Sequence, residues 1–149
     1  MAEFIDDEIL EMAVAREVDA NRFYLALAAR VKNPRIRKVF KELAAEELEH
    51  KAKLELEIMK TGRVVNTDET PAGFRDEQPN YVPPGIEMGY NDILLMGMQK
   101  EDASFRLYVD MAGMTSDAHS KEILLALAQE EAGHKLRFQS VLDYLPRNA

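Results

Sequence analysis

Residues 43–50 read LAAEELEH, and residues 127–134 read LAQEEAGH. Each stretch contains a glutamate followed three positions later by a histidine: Glu47 with His50, and Glu131 with His134. Residues three apart lie on the same face of an α-helix, so both side chains of each pair point in one direction. A single pair of this kind on a charged helix is usually a surface feature, whereas two pairs in one short chain indicate a shared role.

Both stretches belong to an internal repeat in which the second half of the chain follows the first at a shift of 84 residues. A lone glutamate lies 30 residues before each pair, Glu17 in the first half and Glu101 in the second. Tyr24 and Tyr108 also coincide under the same shift. The repeat therefore predicts two similar helical hairpins that carry equivalent polar side chains.

The apolar spacing and the helix-end signals predict an all-α fold in one domain, residues 1–149. The predicted helices cover about residues 6–32, 34–61, 91–113 and 117–144. Asn33 and Pro34 predict the start of the second helix, Thr115-Ser116-Asp117 offers capping oxygens for the fourth, and Pro146 is expected to end it. Residues 62–90 are rich in proline and glycine and predict a long crossover. We therefore expect a ferritin-like four-helix bundle made of two hairpins joined by a long crossover.

The spacing also predicts that the repeated polar residues meet at one level of this bundle. Glu17 and Glu47 each lie roughly 21–24 Å from the turn near Asn33, at 1.5 Å of rise per residue. Glu101 and Glu131 each lie 15 residues from the turn near Ser116. Pairing the hairpins about an approximate twofold axis brings together four carboxylates and two imidazoles. The set is Glu17, Glu47, His50, Glu101, Glu131 and His134.

Such a cluster requires compensation, because burying several like charges without a counter-charge is unfavourable. Two divalent cations would provide it, each with one histidine and a share of the carboxylates. The chain has no cysteine, which excludes thiolate ligands and iron–sulfur clusters. An oxygen-rich ligand set suits iron or manganese better than zinc. The predicted cofactor is two iron ions, with manganese as the alternative and zinc as a substitute.

At these residues the chain resembles the ferritin-like superfamily, and within it the rubrerythrin-type domain, over nearly its whole length. The resemblance rests on Glu17 with Phe23-Tyr24, on residues 43–50, on Glu101 with Tyr108, and on residues 127–134. It implies that the six residues are iron ligands and that the carboxylates act through the metals. It further implies reduction of hydrogen peroxide by a non-haem di-iron oxidoreductase, and a homodimer.

Two departures from the rubrerythrin pattern bear on the function. The chain carries no four-cysteine rubredoxin domain, so electrons are expected from an external donor such as a rubredoxin-like protein. Ser104 stands where rubrerythrins tend to carry a further glutamate, which weakens the peroxidase prediction. The alternatives are a ferroxidase or iron-handling protein, with dioxygen as oxidant, and a metal-stabilised bundle without catalysis.

Tyr24 and Tyr108 lie two turns beyond Glu17 and Glu101 on the predicted metal-facing side. They are interpreted either as partners of a ligand carboxylate, with an electron-relay role, or as ordinary core aromatics. Ala13 and Gly97 lie one turn before the same glutamates. Small side chains there are consistent with room for an oxidant and equally with close helix packing.

Several other polar residues are predicted to have no role in the site. Glu46, Glu49 and Glu130 lie beside the ligands in sequence but are rotated away from them, and are expected to face solvent. His119 has no partner in the repeat and is expected on the surface.

The charge and hydropathy of the chain limit its partners. A net charge of −8 disfavours binding to nucleic acid. The sequence has neither an apolar run of about 20 residues, which a membrane span needs, nor a signal peptide. We therefore expect no membrane association and a cytoplasmic location.

Overall fold

The computed structural model describes residues 2–60 and 89–148, with the side chains of residues 8–60 and 89–144. Four α-helices form the described part: α1, Ala2–Arg30; α2, Pro34–Lys60; α3, Tyr90–Met114; and α4, Ala118–Asn148. Helices α1 and α2 pack as one hairpin and α3 and α4 as the other, while α1 also contacts α3 and α2 contacts α4. The predicted all-α four-helix bundle of two hairpins is confirmed.

The capping signals explain two of the helix starts. The side-chain oxygen of Asn33 accepts hydrogen bonds from the backbone nitrogens of Arg35 and Ile36, at 2.9 and 3.3 Å. These bonds satisfy amide groups that have no partner inside a helix, and Pro34 occupies the first helical position. Asp117 acts in the same way for α4, because its carboxylate accepts the backbone N–H of Ser120 at 2.8 Å.

The observed helix ends differ from the predicted ones at several points. Helix α1 covers Ala2–Arg30 instead of 6–32, and α3 begins one residue earlier and ends one residue later than predicted. Helix α4 was expected to stop at residue 144, but it continues through Pro146 to Asn148. A proline this close to a helix end removes only one backbone hydrogen bond, so the last turn persists. Most of the predicted 62–90 crossover, residues 62–88, lies outside the described residues.

The core is divided into two apolar halves, one at each end of the bundle. One half contains Phe40 of α2 together with Leu94 of α3 and Phe138 of α4. The other contains Leu54 of α2 and Met111 of α3 among its buried residues. The end of α2 and the start of α3 therefore lie at opposite ends of the bundle. None of the described helices is long and apolar enough to cross a membrane.

Gly97 is required by close packing between α3 and α4. A Cβ atom at this position would lie 2.8–3.0 Å from three ring carbons of Phe138. Phe138 is fully buried and its ring packs against those of Tyr24 and Phe40, with centroids 5.8 and 5.5 Å away. The ring therefore has little room to move. Gly133, in contrast, is an exposed helical glycine whose added Cβ would meet nothing within 4 Å.

Replacing Asn33 by alanine is expected to lower the free energy of unfolding by about 1 kcal/mol, because it removes the cap of α2. Asn33→Asp is the matched control, since aspartate caps equally well and should stay close to wild type. Chemical denaturation followed by circular dichroism measures both. Equal stability of the alanine and aspartate variants would contradict the capping role.

Gly97→Ala is expected to lower the free energy of unfolding by about 1–3 kcal/mol through overpacking against Phe138. Gly133→Ala, with no such neighbour, is expected to raise it by roughly 0.5–1 kcal/mol through helix propensity. Thermal and chemical denaturation of the two variants beside wild type checks both signs. A Gly97→Ala protein as stable as Gly133→Ala would show that the α3–α4 contact is looser than the structure indicates.

Candidate metal centre

All six residues predicted as metal ligands come together between the two apolar halves of the core. Each helix contributes: Glu17 from α1, Glu47 and His50 from α2, Glu101 from α3, and Glu131 and His134 from α4. All six are buried. They form two overlapping groups in which the ligand atoms lie within 4.8 Å of one another. The groups are Glu17, Glu47, His50 and Glu131, and Glu47, Glu101, Glu131 and His134.

Because the two groups overlap, the four glutamates fall into two kinds. Glu47 and Glu131 belong to both groups, whereas Glu17 and Glu101 each belong to one. Two cations bound there would be held by these residues, with Glu47 and Glu131 available to both ions and the separate glutamates, Glu17 and Glu101, to one ion each. The sequence predicted that four carboxylates are shared between two ions, and the structure shows which two of them lie between the groups.

Both histidines direct the same ring nitrogen toward the carboxylates. The Nδ1 atom of His50 lies 3.2 Å from Glu131, 3.5 Å from Glu17 and 3.7 Å from Glu47. The Nδ1 atom of His134 lies 3.2 Å from Glu47 and 3.4 Å from Glu101. The two rings are nearly parallel, with centroids 5.8 Å apart and an interplanar angle of 7°. The approximate symmetry of the sequence repeat is therefore preserved in the site.

The polar atoms of this cluster fit divalent cations. Each of the six residues has at least one buried oxygen or nitrogen atom with no hydrogen-bond partner in the part of the chain that the structure describes. Unpaired buried polar groups are rare in proteins and unfavourable, because they lose water without gaining another partner. Carboxylate oxygens and neutral imidazole nitrogens that converge within a few ångströms are ligands for iron, manganese or zinc.

The electrostatics of the cluster lead to the same conclusion. Burial raises the pKa values of Glu17, Glu47 and Glu101 above the ordinary range of a carboxyl group. The charges of neighbouring carboxylates, Glu131 among them, raise these pKa values further. Without cations the cluster would therefore take up protons to reduce its repulsion. Two divalent ions would instead stabilise the ionised carboxylates in place.

Tyr24 and Tyr108 are bound to the two carboxylates that are not shared. The hydroxyl of Tyr24 donates to Oε1 of Glu101, and that of Tyr108 donates to Oε1 of Glu17. Burial, followed by the charges of the nearby glutamates, raises the pKa values of both phenols well above their usual value. Both therefore stay protonated and act as donors. The structure supports the interpretation that they are partners of ligand carboxylates, and they also belong to the core.

Glu130 is exposed, as predicted, and Glu46 is half-buried, but each also contacts a histidine of the cluster, which the sequence analysis did not predict. Oε2 of Glu46 lies 2.9 Å from Nε2 of His134, and Oε2 of Glu130 contacts Nε2 of His50. Each residue precedes a shared glutamate, so a rotation of about 100° along the helix aims it at the neighbouring helix rather than at the core. The Glu-Glu pair that occurs in both halves of the sequence was the signal that could have pointed to these contacts. Glu49 is exposed, as predicted.

Ser104, three residues after Glu101, takes part in a buried polar contact. Ser104 accepts hydrogen bonds from Nε and Nη2 of Arg16, at 3.0 and 2.8 Å. Nη2 of Arg16 also donates to the carbonyl of Lys100 at 3.3 Å. Arg16 and Lys100 are themselves repeat partners, and both are buried beside the separate glutamates. The sequence analysis did not single out these two basic residues, although each directly precedes one of the separate glutamates, Glu17 and Glu101.

The structure shows close packing at Gly97 and an open groove between α2 and α4. Gly97 is packed against Phe138, so close packing and not room for an oxidant explains its small size. A groove of about 280 Å³ runs between α2 and α4, and Glu130 is part of its wall. His119 also lines this groove; it is exposed, as predicted, and lies 3.1 Å from Glu57.

Several solved structures are similar to this chain, among them the following three. A hypothetical protein from Pyrococcus furiosus is 25% identical, with a TM-score of 0.71 over 99% of this chain and 94% of that one. A dodecameric thioferritin, the bacterioferritin-related protein of Bacteroides fragilis, is 19% identical, with a TM-score of 0.71 over 99% of this chain and 89% of that one. The bacterioferritin of Rhodobacter capsulatus is 20% identical, with a TM-score of 0.73 over 95% of this chain and 86% of that one.

The two ferritin-type structures, at this level of identity, show that the fold is ferritin-like. No match was found among proteins with curated functional descriptions. The rubrerythrin family model, however, matches residues 8–142, which include α2 and α3, most of α1 and α4, and every residue of the two Glu/His groups. The chain belongs to the rubrerythrin family.

Proposed function

We propose that this protein is a non-haem di-iron oxidoreductase that reduces hydrogen peroxide with electrons from an external donor. The observation that supports the proposal most strongly is the pair of buried Glu/His groups with shared Glu47 and Glu131. The rubrerythrin family match over residues 8–142 supports the same chemistry. The ligands would be the six residues predicted from the sequence, and iron, not manganese or zinc, would be the working metal.

The protein's own residues would prepare the site for this reaction. Two ferrous ions held by the six residues would supply two electrons, which together with two protons reduce hydrogen peroxide to two molecules of water; an external donor would then replace the two electrons. Glu17 and Glu101 are held in position by the hydroxyls of Tyr108 and Tyr24. The apolar halves above and below restrict water at the site, which strengthens the electrostatic interactions inside it.

A ferroxidase is the second candidate, and one observation favours it. Ser104, engaged by Arg16, stands where rubrerythrins tend to carry a further carboxylate, so residues 8–60 and 89–144 offer the site six ligands and no seventh. The similar structures include a thioferritin and a bacterioferritin that is described with a dinuclear site. Ferrous iron would then be the substrate and dioxygen the oxidant. A bundle that binds metal without turnover is the remaining, non-catalytic alternative.

The electron donor and the oligomer are part of the proposal. We propose a rubredoxin-like donor and a homodimer, both on the family resemblance. Exposed apolar side chains on the outer faces of α1 and α2, such as Leu25, Leu48 and Met59, are compatible with a second copy of the chain.

Replacing a glutamate that belongs to both groups is expected to lower the metal content more than replacing a glutamate that belongs to one. Glu47→Ala or Glu131→Ala should lose both ions, because each residue belongs to both groups, whereas Glu17→Ala should retain close to one. Metal analysis after anaerobic loading with ferrous iron measures the stoichiometry, and circular dichroism checks that the bundle still forms. Glu49→Ala, at an exposed neighbouring position, is the control and should bind two. Two ions in Glu47→Ala would contradict the ligand assignment.

The oxidant is identified by mixing the ferrous protein with hydrogen peroxide or with dioxygen in a stopped-flow spectrometer. We expect oxidation to be faster with peroxide, and peroxide to be consumed continuously when a reductant is added. Glu101→Ala should lose this turnover, and Glu49→Ala should keep it. Faster oxidation by dioxygen, with uptake of more than two irons per chain, would contradict the peroxidase proposal and support a ferroxidase. Failure to oxidise with either reagent would support the non-catalytic alternative.

A further inference from the structure

Two basic residues are buried on the side of the metal centre that α1 and α3 form, directly beside its separate glutamates. Arg16 precedes Glu17 on α1, and Lys100 precedes Glu101 on α3. Their exposed fractions are only 5% and 2%. Arginine and lysine are rarely buried to this extent, because a charged group loses its hydration inside a protein. Their burial next to a layer of carboxylates points to a role in that layer.

The guanidinium group of Arg16 crosses from one hairpin to the other and is held there by hydrogen bonds. Nε and Nη2 donate to the hydroxyl oxygen of Ser104 at 3.0 and 2.8 Å, and Nη2 also donates to the carbonyl oxygen of Lys100 at 3.3 Å. Ser104 is itself buried and lies about one helical turn after Glu101. These bonds therefore fix the position of a cation close to the carboxylate layer.

Lys100 extends in the opposite direction along the bundle and ends farther from the layer. Its Nζ atom lies 5.3 Å from the ring centroid of Phe23, which belongs to the apolar half that contains Phe40. Phe23 follows Glu17 by six residues, about 9 Å along the helix axis. Ser104, the partner of Arg16, follows its own glutamate by three residues, about 4.5 Å. Arg16 is therefore the closer of these two buried basic residues to the metal centre.

The net charge of the loaded centre depends on the charge of its ions. Four ionised glutamates carry four negative charges, which two divalent ions neutralise, whereas two trivalent ions would leave two positive charges in excess. A guanidinium group stays protonated at any pH that a protein experiences, so Arg16 repels this excess. The repulsion is only weakly screened because Arg16 and the ligands are buried.

We propose that Arg16 gives the metal centre a preference for divalent over trivalent ions, and therefore for ferrous over ferric iron. The inference rests on the proposed di-iron centre but not on the identity of the oxidant. Each ion gains one positive charge when it gives up an electron. Two unit charges roughly 10 Å apart, at an effective dielectric constant of about 20, repel each other enough to change an equilibrium constant more than tenfold. Arg16 thus raises the reduction potential and helps an external donor to restore the ferrous state.

Redox titration of the iron-loaded protein measures the midpoint potential of the centre. Arg16→Met removes the charge and is expected to lower the potential by about 59 mV or more, which is a tenfold change for a one-electron couple. Arg16→Gln is also neutral but keeps an amide donor for Ser104, and it should show the same shift. Arg16→Lys keeps the charge and should stay close to wild type. Arg22→Met, which removes an exposed cation of the same helix, is the matched control and should leave the potential unchanged.

Binding of Zn²⁺, an ion without redox chemistry, separates an effect of charge from a purely structural one. Chelator competition measures the zinc affinity of wild type and variants, and circular dichroism checks that each bundle has formed. Arg16→Met and Arg16→Gln are expected to bind zinc about tenfold more tightly or better, because a repelling charge is gone. A residue that only held α1 against α3 would weaken zinc binding when replaced. Ser104→Ala removes the anchor but keeps the charge, so it should change the zinc affinity less than Arg16→Met does.

The outcomes distinguish this inference from the proposed function. An unchanged potential in Arg16→Gln, or weaker zinc binding by both neutral variants, would overturn the role of Arg16 and leave the metal centre in place. A shift in Arg22→Met as large as that in Arg16→Met would overturn it as well. Wild type that binds fewer than two ions would overturn the centre itself, together with the inference. The expected shifts in a protein that does not consume peroxide would support the inference and contradict only the peroxidase proposal.

Discussion

The structure depends on the burial of four carboxylates and two imidazoles in one layer of an otherwise apolar core. Apolar residues above and below this layer stabilise the bundle by losing contact with water, but the layer itself opposes folding, because its charges lose solvation and repel one another. Raised carboxyl pKa values and unpaired oxygen and nitrogen atoms are the signs of that cost. Two cations would convert this unfavourable layer into the link that joins the four helices.

The surrounding contacts are organised to support such a link. The separate carboxylates receive tyrosine hydroxyls from across the bundle, and the histidines contact glutamates from the opposite hairpin. Every one of these contacts connects the α1–α2 hairpin with the α3–α4 hairpin. The two hairpins touch each other less extensively than the helices within each hairpin do. The polar layer is therefore a principal connection between the hairpins.

The internal repeat made most of the fold and of the candidate metal site predictable from the sequence. The spacing from Glu17 to Glu47 and from Glu101 to Glu131 determines both the heights of the ligands and the fold, because helix geometry is regular. The contacts of Glu46 and Glu130 with the histidines were missed, since they depend on how closely α2 approaches α4, which the periodicity of a sequence does not report. The same limitation applied to the contact of Arg16 with Ser104, which pairs polar side chains across two hairpins.

The central claim is that two metal ions share Glu47 and Glu131 and that each binds one histidine. Anomalous X-ray diffraction at the iron absorption edge, from crystals of the protein loaded anaerobically with ferrous iron, tests it most directly. We predict two anomalous peaks between the helices, one beside Nδ1 of His50 and one beside Nδ1 of His134, both in contact with Glu47 and Glu131. A single peak, no peak, or iron bound away from these six residues would contradict the account.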